Sequence, residues 1–413
     1  VRGLHRYIIS NTQAAHHVLE VNFALHILDL DALDLDIVPL FETIDDLKRS
    51  ESVMQRLYES PFYRERLKRQ GNRQVVMVGF SDGTKDGGYL SCNWEIFKAK
   101  RGLEALSDRY GVEILFFDGR GGPPARGGGN THRFYRALGA NLKQQEVQLT
   151  IQGQTISSMY GTEEAARFNL EQLYTAGLEA KLHPDPKGRF TAEETTLIDA
   201  LSEKSLAVYG ELRSDPHFLT FLQEKTPLEY YGKLNVASRP AKRGKSAKLQ
   251  LKDLRAIPFV GAWSQIRLNV PGYYGLGTAL EWGYAQGKGA ELEKLYRDNL
   301  FFRTLIDNCM QALAKSSALS TRYLLKEPTY GSFVERLLQE MERTRAYVLK
   351  VSGQKTVLES DPINKESIEL REKLILPLLV IQQYALEKSG DASYERLLLK
   401  TVPALINATR NSA

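Results

Sequence analysis

Cysteine is nearly missing: the chain of 413 residues has two, at 92 and 309. Two thiols so far apart make neither a disulfide framework nor a cysteine metal motif, which fits a reducing cytoplasm. Long apolar runs are missing too. The longest, LILPLLVI at 374–381, is far short of the ~20 residues that span a bilayer. The opening VRGLHRYIIS lacks a signal-peptide pattern and an initiator methionine, and reads as a chain entered in mid-fold. Charge of one sign is scarce: the net charge is +5. That balance permits anionic substrates but lacks the dense basic face of nucleic-acid binding. There is no internal repeat and no long low-complexity segment.

What remains is a folded chain, 42% hydrophobic and 25% charged. Short apolar runs rich in β-branched residues recur at 6–10, 36–41, 74–80, 112–117, 146–152 and 255–263. Their hydrophobicity is continuous rather than alternating, as in strands buried on both faces. Helical patterns lie between them: 11–28, opened by an Asn cap; 88–111, closed by a glycine; and one started by the capping box Thr191-x-x-Glu194. This alternation predicts a parallel α/β barrel. Beyond residue 288 the pattern is purely helical, with candidates at 289–317, 331–350, 364–388 and 391–409. Two regions follow: a barrel portion, 1–288, and a helical region, 289–413.

The densest punctuation is FFDGRGGPPARGGG at 116–129, with six glycines, two prolines and two arginines in residues 119–129. A helix would not tolerate it, and a flexible linker has no use for arginines. Glycines let backbone N–H groups approach an oxyanion, prolines stiffen the turn, and guanidinium forks match phosphate or carboxylate. The motif follows a strand, where barrel catalytic groups collect. Other strand ends offer Glu42, then Asp82, Lys85 and Asp86, then Asp118, Arg120 and Arg126; Arg239 and Arg255 flank the final run. Two carboxylates suit magnesium, which completes its shell with water and substrate oxygens. Each residue has a plainer reading. Glu42 or Asp82 could cap a helix; the basic stretch 233–252 could be a solvated loop or a nucleic-acid patch, though it lacks interleaved aromatics; His16 and His17 have no acidic partners. The set is stronger than its members because independent strand ends all offer magnesium or anion ligands.

At these residues the chain resembles the phosphoenolpyruvate carboxylase family. PLFETIDDL (39–47) resembles a family segment with a metal-binding acid, GFSDGTKDGG (79–88) its SDSxKD segment, and FFDGRGGPPARGGGNTH its FHGRGGxxxRGGGPTH signature. SRPAKR (238–243), LRAIPFVGAWSQIRLNVPGYYGLGTAL (254–280), ALAKSS (312–317), ELREKLILPL (369–378) and the terminal RNSA continue the likeness. It covers the whole chain but only the C-terminal half of the family's length. The family's TAHPTE motif, in the other half, has no counterpart here.

The resemblance implies an incomplete (β/α)8 TIM-type barrel embedded in a large, mostly α-helical protein. It implies a carboxy-lyase that turns phosphoenolpyruvate and bicarbonate into oxaloacetate and phosphate with Mg2+, or Mn2+. Glu42 and Asp82 become metal ligands, and Arg120, Arg239 and Arg255 phosphate ligands. Lys85, Arg120, Arg126 and Asp118 become active-site groups. Arg126, Lys315, Arg371 and Asn411 become the site of an aspartate or malate inhibitor. A cytoplasmic homotetramer, without nucleic acid or membrane, is the implied setting. The chain departs from the family pattern at Asp118, where histidine is usual, at Gly83 for serine, Gln154 for glutamate and Phe259 for tryptophan. Asp118 would repel an anionic substrate unless paired with a cation, so restoring histidine is expected to keep or raise carboxylation. The isolated chain is expected to make no oxaloacetate. Two other readings stand beside this one: a non-catalytic aspartate-binding or assembly module, and another magnesium-dependent lyase of a phosphorylated keto acid.

Overall fold

The structure, a computed structural model, describes residues 3–409 except 31–32, 34, 140–141, 143–145, 152–153, 184–187, 235–248 and 252. Five strands form one parallel sheet: β1 (Arg6–Ile9), β2 (Asp36–Phe41), β3 (Arg73–Gly79), β4 (Glu113–Gly119) and β5 (Gln148–Leu149). Each strand pairs with the next in the chain, with Ile8 opposite Val38, Leu40 opposite Met77, and Val76 opposite Phe116. Parallel neighbours in chain order require a crossover at each step, and helices supply them. The result is a curled half-barrel within a mostly helical molecule.

Both faces of the sheet are covered, as the continuous apolar runs predict. Val76, Val78 and Phe116 pack into the main core with the helices, whereas Val38, Val75 and Leu115 form a cluster on the other face with Met77 and Phe117. Alternation therefore sends Asp118, in phase with Phe116, toward the helix layer. The helices nearest the sheet are α1 (Ala15–Ile27), α2 (Ile44–Glu59), α3 (Pro61–Arg69), α4 (Phe80–Gly87), α5 (Tyr89–Tyr110) and α6 (Thr131–Gly139).

Three expectations change. The run at 255–263 is not a sixth strand but a helix, Ala256–Gln265. Continuous hydrophobicity marks burial on all sides and does not separate a strand from a buried helix. Phe259 and Trp263, one turn apart, both pack on Phe218, and Pro258 sits in the first turn, where a missing N–H costs nothing. The single helix expected over 289–317 is two, Gly289–Asp298 and Leu300–Ala314, because Asn299 turns extended and its side chain caps the second at Phe302 N. Asn11 does not cap α1, which starts at Ala15; at a φ of 57°, its N–H donates instead to Glu42 Oε2 at 3.1 Å. The Thr191 capping box forms as expected, with reciprocal bonds of 3.1 and 3.0 Å to Glu194.

Candidate active site

Glu42 leaves the end of β2 but is not the N-cap residue of α2. The capping box of α2 belongs to Thr43 and Asp46, which exchange bonds of 3.1 and 3.2 Å. Glu42 instead lies against Gly79 at the end of β3, where a Cβ would come within 3.1 Å of its Cγ. Asp82 is not an N-cap residue either: that position is Gly79 in α4 and Gly88 in α5, and Asp82 lies in the first turn of α4. Neither acid thus occupies the N-cap position of α2, α4 or α5. Asp86, by contrast, is structural, accepting from Ile44 N at 3.1 Å and pairing with Arg213.

Around α4 the predicted groups converge. Lys85 is buried, pairs with Asp82 at 3.0 Å and donates to the Leu254 carbonyl at 2.7 Å. One lysine thereby ties the carboxylate to the segment carrying Arg255, which sits at the N-terminus of the helix Ala256–Gln265. Arg126 is buried and donates its Nε to Ser81 Oγ at 3.0 Å, beside Asp82. Burial pushes the Arg126 guanidinium down to about 10, with the Asp82 charge opposing, so it remains a cation at neutral pH. Arg120, also buried, donates Nε to Gly127 O at 2.6 Å and stacks over Phe134 at 3.9 Å.

The glycine loop is folded back on itself. Gly121 N donates to Arg126 O at 2.7 Å, Arg126 N to Pro123 O, and Gly128 N to Pro123 O at 2.9 Å. At Gly128 a Cβ would lie 1.8 Å from the Gly122 carbonyl, so only glycine fits. Gly129 adopts a φ of 111°, which L side chains rarely adopt.

Arg239, Asn411 and the Gln154 side chain lie outside the described residues. Asp118 lies beneath Arg120 rather than beside Asp82 and Lys85. It is fully buried on the helix side of β4, 2.6 Å from the Lys100 ammonium of α5, and accepts from Tyr135 Oη of α6 at 3.0 Å. The repulsion expected from this aspartate is therefore answered by a cation, and histidine alone at 118 would strand Lys100. The sequence reading missed Lys100. Its signal is a lysine on the apolar stripe of α5, one turn after Ile96 and one before Leu103.

The Gly83 departure is also matched by a neighbour. A Cβ there would come within 2.6 Å of Cys92 Sγ and 3.0 Å of the Glu42 carbonyl. Gly83→Ser alone is expected to cost about 1–3 kcal/mol by overpacking, and Cys92→Ala should return much of it; thermal melting of the three variants checks this.

At the second predicted site, Lys315 closes the helix Leu300–Ala314, and Arg371 lies on the helix Pro362–Glu387. Arg267 joins them by a two-pronged pair with Glu372, one arm at 2.9 Å. Burial, together with the charges of Arg267 and Arg371, pushes the Lys315 ammonium down to about 8. An open cleft of ≈ 530 Å³ lined by Arg267, Ser317 and Glu372 adjoins the group. Arg126 donates its Nε to Ser81 Oγ, and Ala125 in its loop sits near Gly272 beside Ala312.

Among the described residues no helix is long and apolar enough to cross a membrane, and both cysteines are free and buried. Comparison with known proteins agrees with the motifs. The phosphoenolpyruvate carboxylase family model matches residues 1–399. A phosphoenolpyruvate carboxylase of Corynebacterium diphtheriae is 35% identical over 98% of this chain and 46% of its own length. Those of Azoarcus sp. and Prochlorococcus marinus are 37% and 36% identical over 95% and 94% of this chain, and 44% and 41% of their own lengths. The chain thus spans less than half the length of these relatives, and it belongs to the phosphoenolpyruvate carboxylase family.

Proposed function

We propose that this chain carries the phosphoenolpyruvate-binding portion of an enzyme that carboxylates phosphoenolpyruvate with bicarbonate to give oxaloacetate and phosphate. The observation that carries this reading is the convergence on α4: Asp82, Lys85, Ser81-bound Arg126 and the segment leading into Arg255 meet there, beside Glu42. Arg120 and Arg255, with Arg239, would hold the phosphate from several sides and then the charge of the transferred phosphoryl group. Bicarbonate oxygen would attack phosphorus, breaking the bond to the enol oxygen and giving carboxyphosphate and the enolate of pyruvate; carboxyphosphate would split into carbon dioxide and phosphate, and the enolate carbon would add to that carbon dioxide to give oxaloacetate. The Arg126 loop, folded over Ser81, would keep water from protonating the enolate.

Glu42 and Asp82 would hold the divalent ion. No described group of three His, Cys, Asp or Glu side chains could hold a metal alone, and two carboxylates from neighbouring strand ends suit an ion that keeps water and substrate oxygens, as magnesium does, with manganese an alternative. Such an ion would supply positive charge that stabilises the anions formed in the reaction. The chain on its own is expected to bind substrate without making oxaloacetate, since its described sheet has five strands and its sequence holds no TAHP histidine. Purified chain supplied with phosphoenolpyruvate, bicarbonate and magnesium should give no oxaloacetate above the Asp82→Asn variant; clear turnover would refute that. Formation of pyruvate and phosphate instead would favour a different lyase.

Lys315 and Arg371 would bind the carboxylates of aspartate or malate, with Asn411 and a displaced Arg126 completing the site. Inhibition would then follow from Arg126 leaving Ser81. The folded-state pKa of Lys315 lies below its ordinary value, so the ammonium is present below about pH 8 and lost above it. Malate has no group titrating there. Its affinity should fall about tenfold between pH 7 and 9, read by calorimetry, since each unit above the pKa halts binding to all but a tenth of the molecules. A pH-independent affinity would remove Lys315 from the site. The same cluster supports the second reading, a non-catalytic dicarboxylate-binding module, which would bind malate but not phosphoenolpyruvate.

A further inference from the structure

Lys100 is fully buried, and its ammonium has no hydrogen-bond partner among the described residues other than the Asp118 carboxylate 2.6 Å away. Its other neighbours are aromatic: the Phe116 ring centre is 5.2 Å off and that of Phe134 6.0 Å. The Phe134 ring also carries the Arg120 guanidinium, at 3.9 Å. Tyr135 Oη links the two sides, donating to Asp118 Oδ2 at 3.0 Å and meeting Arg120. Two cations and one carboxylate therefore share a small buried volume, and one of the cations is a proposed phosphate ligand. A buried ammonium needs a counter-charge, and a buried carboxylate likewise. If Lys100 were neutral, the Asp118 carboxylate would turn to Arg120, which Tyr135 Oη already links to it.

We propose that Lys100 is a positioning residue: by neutralising Asp118 it keeps the Arg120 guanidinium available to the phosphate, and Lys100 and Asp118 work as one unit in place of the histidine usual in the family. This rests on the phosphate-site reading above. It also explains how an aspartate is tolerated two residues from a phosphate ligand, where a lone negative charge would lower anion affinity.

The test is a four-member set of this chain: wild type, Lys100→Gln, Asp118→His and the double variant. Melting temperature and the affinity for inorganic phosphate are measured on each. Either single change leaves a buried charge without its partner and should lower the melting temperature by about 5 °C or more. Lys100→Gln should also weaken phosphate binding about tenfold, because the freed carboxylate competes for Arg120. The double variant should recover most of the melting temperature and bind phosphate within about threefold of wild type. A merely structural Lys100 would lower the melting temperature while leaving the phosphate affinity of the folded protein unchanged, and that result overturns the proposal. If Lys100→Gln does not fold, Lys100→Gln with Asp118→Asn replaces it as a second neutral pair; near-wild-type phosphate affinity there supports the proposal, and loss of it counts against it. Absence of phosphate binding in wild type would instead overturn the phosphate-site reading, while additive melting across the set would separately dismiss the paired unit.

Discussion

Replacing Arg120 by alanine is expected to weaken phosphoenolpyruvate binding by about ten- to a hundredfold. A hydrogen bond to a charged group contributes about 1.5–3 kcal/mol, and each 1.4 kcal/mol is a tenfold change. In a form of the protein that turns over, the loss in rate should reach about 10²–10³, the usual effect of removing one preorganised donor to developing charge. Arg120 is also buried and bonded to the Gly127 carbonyl, so some stability goes with it. Arg120→Lys separates the two effects. It keeps the charge but loses the fork, and should sit between wild type and alanine in affinity. Calorimetric titration of the three proteins gives the answer, and equal affinity in all three would remove Arg120 from the site.

The glycine loop should be as sensitive as its arginines. A methyl group at residue 128 would lie 1.8 Å from the Gly122 carbonyl, in contact with backbone rather than with a side chain that could swing away. Gly128→Ala must therefore open the turn that sets Arg120 and Arg126 apart. Phosphoenolpyruvate affinity should fall by about a hundredfold or more, since the donors of both arginines move together. Gly177→Ala is the control: a Cβ there meets nothing within 4 Å, and affinity should not change. Full binding by Gly128→Ala would show that the cradle is not rigid.

Much of this arrangement was legible in the chain, for reasons specific to each element. The strands at 36–41, 74–80 and 112–117 were readable because burial on both faces leaves a continuous β-branched run between turn signals. The same property misled at 255–263, where a helix buried on every side has an identical pattern. The glycine loop at 119–129 was readable because its glycines and prolines exclude a strand or a long helix. Glu42 and Asp82 looked like possible helix caps until Thr43 and Gly79 were seen in those positions. Lys100 and Cys92 were not legible, because their meaning lies in contacts with Asp118 and with the space beside Gly83, which only the folded chain brings together. At 83 and 118, where the chain departs from the pattern it resembles, the structure places specific neighbours, Cys92 and Lys100. The expectation that histidine at 118 would preserve activity now carries a condition the sequence did not show: Lys100, paired with the Asp118 carboxylate at 2.6 Å, would need another partner.

The most direct measurement is the affinity of the purified chain for phosphoenolpyruvate, by calorimetry, with and without magnesium, in wild type and Asp82→Asn. The expected result is binding that magnesium strengthens in wild type and no longer strengthens in the variant, whose substituted amide is a poorer ligand for a hard cation. Binding that ignores magnesium, or a magnesium effect that survives Asp82→Asn, would contradict the placement of the metal and substrate at the ends of β2 and β3.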